Sequence, residues 1–207
     1  RHILLVLNQL RQQVQRKSQP VYHSLADFVA PVKSGINDYH GLFATTAGIG
    51  LEHYVQVFEQ RNDDYASIMV KALADRLGEA TTEWLHREVR MHLWGYAPEE
   101  SLNLEELLQL RYQGIRPAFG YPACPDHSEK EKIFRFLQVE KRIGIHLTDQ
   151  YSMVPVASVS GHLMSHPGSW YFDVGKIDQD QLKDYARRKE ISEKAAEKLL
   201  APVIGYK

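Results

Sequence analysis

Between Asp63 or Asp64 and about Trp94, apolar residues recur every three or four positions: Tyr65, Ile68, Met69, Ala72, Leu73, Leu77, Ala80, Trp84, Leu85 and Val89. An α-helix turns once per 3.6 residues, so this spacing gathers them into one stripe and predicts a continuous helix of about thirty residues, roughly 45 Å long. Gly95 and Pro98 end it, the first by tolerating a left-handed cap and the second by lacking an N–H donor. A helix of that length has to be a central element around which the rest is arranged.

The flanking sequence supplies shorter elements. Residues 2–17 carry Leu4, Leu7, Leu10 and Val14 opposite Arg11, Gln12, Gln15, Arg16 and Lys17, which predicts an amphipathic helix. "SGINDYHG" is dense in turn residues, "LFATTAG" (Leu42 to Gly48) has strand composition, and Leu51 to Gln60 returns to helical spacing. A short helix is expected from Leu104 to about Leu110, and Ser128 with Glu131 suggests a capping box for a helix to about Arg142. "YSMVPVASVSGHL" and "SWYFDVGKI", separated by "MSHPG", read as an antiparallel pair. Asp178 and Ser192 are placed to cap two final helices. A few strands scattered among many helices predict an α+β fold with long central helices and a small, mainly antiparallel twisted sheet. We find no internal repeat or low-complexity linker, so residues 1–207 read as one domain; the start on Arg1 without a helix cap suggests a piece of a longer polypeptide.

Charge and cysteine content exclude several function classes. With 25 Lys and Arg against 26 Asp and Glu, the chain has no electrostatic footprint for nucleic acid or an anionic membrane. "ILLVL" near the start falls far short of the ~20 residues a membrane span requires. The single cysteine, Cys124, rules out an intramolecular disulfide and fits a reducing, cytoplasmic compartment.

The candidate chemistry is sparse. His162 and His166 have the spacing of a helical zinc pair but sit in β-like composition beside glycine and proline, so no metal is expected. Cys124 and His127 could pair as nucleophile and base, although a spectator thiol is the commoner outcome for such a loop. The glycines of "TAGIGLEH" lack the further residues of a dinucleotide fingerprint or a P-loop and read as a tight turn. Asp75, Glu79 and Glu83 form an i, i+4 column of like charge on the long helix, which is either a solvated face relieved by Arg76, Arg87 and Arg90 or a surface for a cationic ligand or partner. The most unusual stretch is "RPAFGYPACPDHSEK", Arg116 to Lys130, with three prolines, a glycine and two aromatics in fifteen residues. Prolines fix their own φ and restrict the preceding residue, so this loop is stiff enough to hold groups in place for a ligand.

Taken together, "RYQGIRPAFGYPACPDHSEK", "NDDYASIMVKALADRLGEATTEWLH", "LWGYAPEE", "SLADFVAP" and "DYARRKEISEKAAEKLLAPVIGY" resemble the C-terminal activation module of cobalamin-dependent methionine synthase over essentially all 207 residues. The resemblance implies binding of S-adenosylmethionine and support for the reductive methylation that returns oxidised cobalamin to methylcobalamin. Its implied partners are the synthase's cobalamin-binding domain and a flavodoxin-like or other flavoprotein electron donor. Residue by residue, Arg116, Ala118 and Tyr121 match the family's ligand loop, Glu79 a carboxylate near the ligand, and Tyr171 and Phe172 an aromatic pair; Asp75 is a candidate contact to the cobalamin domain. The family's other acidic ligand lies upstream of Arg1, which implies an incomplete site. Two departures stand out: Phe119 occupies a family proline position and adds an apolar ring near the ligand, and "SGHLMSHPG" lacks the usual aromatics. A docking module with a degenerate ligand site is the alternative, while an independent methyltransferase is disfavoured because no glycine-rich strand-to-helix loop is present.

Overall fold

A computed structural model of the chain describes residues 2–14 and 21–206. It forms two compact units: unit 1 comprises Arg1–Gly41, Gln113–Lys132 and His162–Lys207, and unit 2 comprises Leu42–Tyr112 and Ile133–Gly161. Helices predominate, with two small two-stranded sheets, an α+β arrangement.

Unit 2 is built on a helical hairpin of α1 (Leu51–Gln60) and α2 (Asp64–Glu88), the second continuing into a π-helical turn, Val89–Leu93. Asp63 caps α2, its carboxylate accepting from the Ala66 N–H at 2.9 Å. Strand β1 (Gly41–Thr46) pairs with β4 (Ser158–Leu163), and β2 (His146–Leu147) pairs antiparallel with β3 (Met153–Val154). Helix α3 (Leu104–Leu108) is short. The stretch expected as one helix to Arg142 is two, α4 (Glu129–Leu137) and α5 (Val139–Ile143), because Gln138 adopts a left-handed conformation (φ 53°) between them. Phe134, Val139 and Ile145 form a core against Ala44, Leu137, Leu147 and Met153.

The length of α2 agrees with its spacing, but the buried face is the opposite one. Tyr65, Ile68, Leu73, Leu77 and Trp84 are exposed, whereas Ser67, Ala74, Gly78, Thr82 and His86 are buried. Small residues at i, i+4 let backbone approach backbone: a Cβ on Gly78 would lie 3.1 Å from the Ala157 carbonyl oxygen. The Thr82 hydroxyl meets the Thr45 hydroxyl at 2.8 Å and donates to the Gly78 carbonyl at 2.9 Å. Two of the arginines near the acidic column have acidic partners outside it. Arg90 is fully buried, donating to both carboxylate oxygens of Glu100 (2.6 and 2.7 Å) under the Tyr112 ring, and Arg87 lies beside Glu88.

In unit 1 the helix expected at residues 2–17 does not form over residues 2–14; residues 15–17 lie outside the described residues. The segment is extended and tied to distant backbone, the Gln12 N–H donating to His23 O at 2.7 Å and the Gln13 N–H to Val174 O at 2.6 Å. Leu4 is consequently exposed while Leu10 is buried. The expected strand in "SWYFDVGKI" is also absent: β4 takes β1 as its partner, and Ser169–Lys176 forms neither helix nor strand. Helices α6 (Gln179–Lys189) and α7 (Glu193–Leu200) form where Asp178 and Ser192 predict them. Helix α6 is anchored by a buried ionic cluster. Lys189 pairs with Asp126 (2.8 Å) and Glu129, Tyr185 donates to Asp126 at 2.6 Å, and Lys132 donates to Glu129 at 2.7 Å. Burial pushes the Asp126 carboxyl up, but the bonds from Lys189, Tyr185 and Ser128 outweigh it and hold the group below the usual carboxylate range. No helix of the described residues is long and apolar enough to cross a membrane.

Candidate functional site

The proline-rich loop is fixed along both flanks. Ile115 exchanges backbone hydrogen bonds with Met164 (2.9 and 3.0 Å), and the His162 N–H donates to Pro117 O at 3.0 Å. On the other flank the Val174 N–H donates to Pro122 O at 3.0 Å, and the Arg116 N–H donates to the Tyr171 hydroxyl oxygen at 2.9 Å. Within the loop, Gly120 N–H reaches Cys124 O at 2.8 Å and Cys124 N–H reaches Tyr121 O at 2.9 Å, closing a turn at Pro122 and Ala123. Gly120 has φ +97°, and a Cβ there would fall 2.0 Å from His127 Cε1, so only glycine fits.

This clamping brings Arg116, Ala118, Tyr121 and Tyr171 onto one structural feature of unit 1. Tyr121 and Tyr171 are exposed, and Arg116 and Ala118 are half-buried. The Ala118 carbonyl accepts from the Tyr121 N–H (3.3 Å) and the Cys124 thiol (3.0 Å). Phe172 is buried in an aromatic cluster, its ring centroid 6.3 Å from Phe28, 6.4 Å from His23 and 5.6 Å from Trp170. Glu79 and Asp75 are exposed on α2 in unit 2.

Phe119 does not add a ring to the surface. It is 1% exposed and stacks on His162 with centroids 4.9 Å apart and planes 9° from parallel. Cys124 and His127 are not a pair either. The thiol lies 4.0 Å from His162 Nε2, and His127 Nδ1 sits 2.8 Å from Lys130 Nζ. Burial pushes the Cys124 thiol far up, a shift that Lys130 only partly opposes, so a nucleophilic thiolate is strongly disfavoured. His162 Nδ1 meets His40 Nε2 at 2.8 Å, and burial, with His40 beside it, pushes the His162 imidazole down to about 3. Among the described residues no group of three or more His, Cys, Asp or Glu side chains is placed to hold a metal ion. The contribution of His162 was not visible in the sequence, because its partners are 38 to 122 positions away.

A separate groove of about 350 Å³ in unit 1 is lined by Gln9, Leu10, Arg11, Ser24 and four residues of α6. Its arginines are engaged by neighbouring carboxylates, Arg11 with Asp27 (2.6 Å) and Arg188 with Asp184 (2.8 Å). The proline-rich loop, with its phenols at the surface, is the stronger candidate.

Comparison with known proteins identifies the family. A solved structure of the MetH reactivation domain bound to AdoHcy is 52% identical, superposes with a TM-score of 0.96 and is matched over 100% of this chain. This chain spans 63% of the length of that one. The sequence pattern that defines the activation domain of vitamin B12 dependent methionine synthase matches residues 1–190. The chain therefore belongs to the vitamin B12 dependent methionine synthase activation domain family.

Proposed function

We propose that this chain binds S-adenosylmethionine at the Arg116–Cys124 loop and, as a single module acting beside a cobalamin-binding domain in the cytoplasm, supports reactivation of methionine synthase. The observation that carries this reading is the loop held on both flanks, with the Arg116 amide tied to the Tyr171 hydroxyl and the Tyr121 ring left exposed. The AdoHcy bound by the 52% identical reactivation domain supports it.

The donor set fits such a ligand. S-adenosylmethionine carries a carboxylate, an ammonium, a sulfonium and an adenosyl group, and the Arg116 guanidinium can grip a carboxylate through two parallel N–H donors. Tyr121 and Tyr171 offer ring faces for the sulfonium and hydroxyls for the ribose. The Ala118 backbone keeps the role that the family resemblance gives it, a contact to the adenine, its methyl side chain allowing close approach. Phe172 contributes by anchoring Tyr171 from within the aromatic cluster. Glu79 keeps the role that the family resemblance gives it, a carboxylate for the ammonium, and Asp75 that of a contact to the cobalamin domain. When bound, S-adenosylmethionine supplies the methyl group and cobalamin, held by the neighbouring domain, receives it with an electron from a flavoprotein. The residues of this chain bind and orient, and none serves as a nucleophile.

Calorimetric titration of S-adenosylmethionine into the full natural chain that carries this module tests the reading. Arg116→Ala is expected to weaken binding at least tenfold, a loss of about 1.4 kcal/mol or more, and Glu79→Gln to weaken it as well. Unchanged affinity in Arg116→Ala would sink the ligand reading and leave docking without a small-molecule ligand as the better account.

A further inference from the structure

We infer that His162 is the positioning residue of the ligand loop, holding Pro117–Phe119 in the shape that receives the adenosyl group; this rests on the ligand reading above. Three consecutive loop residues answer to this one position. The His162 backbone N–H fixes the Pro117 carbonyl at 3.0 Å. Its ring stacks flat on Phe119. Its Nε2 stands 4.0 Å behind the Cys124 sulfur, whose S–H is directed at the Ala118 carbonyl.

The ring is itself held from behind. His162 is fully buried, and its Nδ1 makes a 2.8 Å hydrogen bond with His40 Nε2, which sets the plane of the imidazole and therefore the plane against which Phe119 can lie. A phenylalanine at 162 would offer the same flat face without that tether, and an aliphatic residue would offer neither. The two departures from the family pattern, an aromatic ring for a proline at 119 and the loss of the usual aromatics in "SGHLMSHPG", the stretch that contains His162, thus meet in one contact. A proline stiffens a loop by its own ring. Here the stiffness at 119 comes instead from a side chain locked between the loop and β4, so it depends on a partner 43 positions away.

A double-mutant cycle tests this, read by calorimetry with AdoHcy and by hydrogen exchange of the Gly120 and Cys124 amides, which close the loop turn. His162→Ala is expected to raise the Kd about tenfold and to lower protection of both amides by a similar factor. Adding Phe119→Ala to it should cost less than about threefold more, since both changes remove the same contact. His162→Phe, which keeps the stacking face but loses the tether to His40, should fall between the parent and His162→Ala in both readouts and match His40→Phe in amide protection. His40→Phe should loosen the tether and lower amide protection without touching the loop, and it serves if His162→Ala does not fold. If the variants lower the melting temperature while Kd and amide protection stay within about twofold of the parent, His162 is core packing only and the inference is overturned. If the parent itself fails to bind AdoHcy, the ligand reading falls separately, and unchanged amide protection in the variants would still overturn the role of His162.

Discussion

Gly120 shows how narrowly a single residue can be constrained. Its positive φ already disfavours any side chain, and the His127 ring fills the space where a Cβ would go. Gly120→Ala should therefore destabilise the protein by roughly 1–3 kcal/mol in urea unfolding. Adding His127→Ala should recover only the steric part of that loss. His162 is constrained by charge rather than by space. Below its ordinary value near 6.5 an unfolded-state histidine takes up a proton, whereas the buried His162 stays neutral down to about 3. The unfolded state then binds more protons, so stability falls as pH drops through this window, by about 1.4 kcal/mol per unit. Between pH 6.5 and 5 the expected loss from this group is about 2 kcal/mol, and His162→Phe should flatten that slope in urea titrations. His40, whose value burial also lowers, contributes in the same direction.

At the scale of elements, α2 separates hydropathy from burial. Its length, cap and end agree with the sequence, yet the residues against the β1–β4 sheet are the small ones, because close backbone approach leaves no room for leucine or tryptophan. Leu77→Gln, on the exposed face, should change stability by no more than about 0.5 kcal/mol, while Gly78→Leu should cost about 1–3 kcal/mol by overpacking against Ala157. Chemical denaturation of the two variants side by side checks which face is inside. Helix α6 depends on its ionic anchor. Lys189→Met removes the cation shared by Asp126 and Glu129 and leaves the buried Asp126 without its counter-charge while Glu129 keeps Lys132, for an expected loss of about 3–5 kcal/mol in the same measurement. The N-terminal segment makes the complementary point: its apolar spacing suits a helix, but the Asn8 N–H donates to the Glu129 carboxylate and the Gln12 and Gln13 N–H groups to distant carbonyls, so no helix forms over residues 8–13.

For the whole molecule, what the sequence by itself determined was local. A capping box places α6 and a serine cap α7, Gly95 ends the long helix region, and the proline spacing marks the proposed ligand loop, because each of these signals acts within about one helical turn of itself. The family was legible for the same reason: its motifs are contiguous runs of residues. Only the tertiary structure decided which face of α2 is buried, which strand pairs with β4, and that Phe119 turns inward onto His162 instead of outward toward a ligand. Those outcomes depend on residues far apart in sequence competing for one space, and on backbone groups that bond only where the chain brings them together. Hydropathy and spacing describe what a segment can bury, whereas packing selects what it does bury.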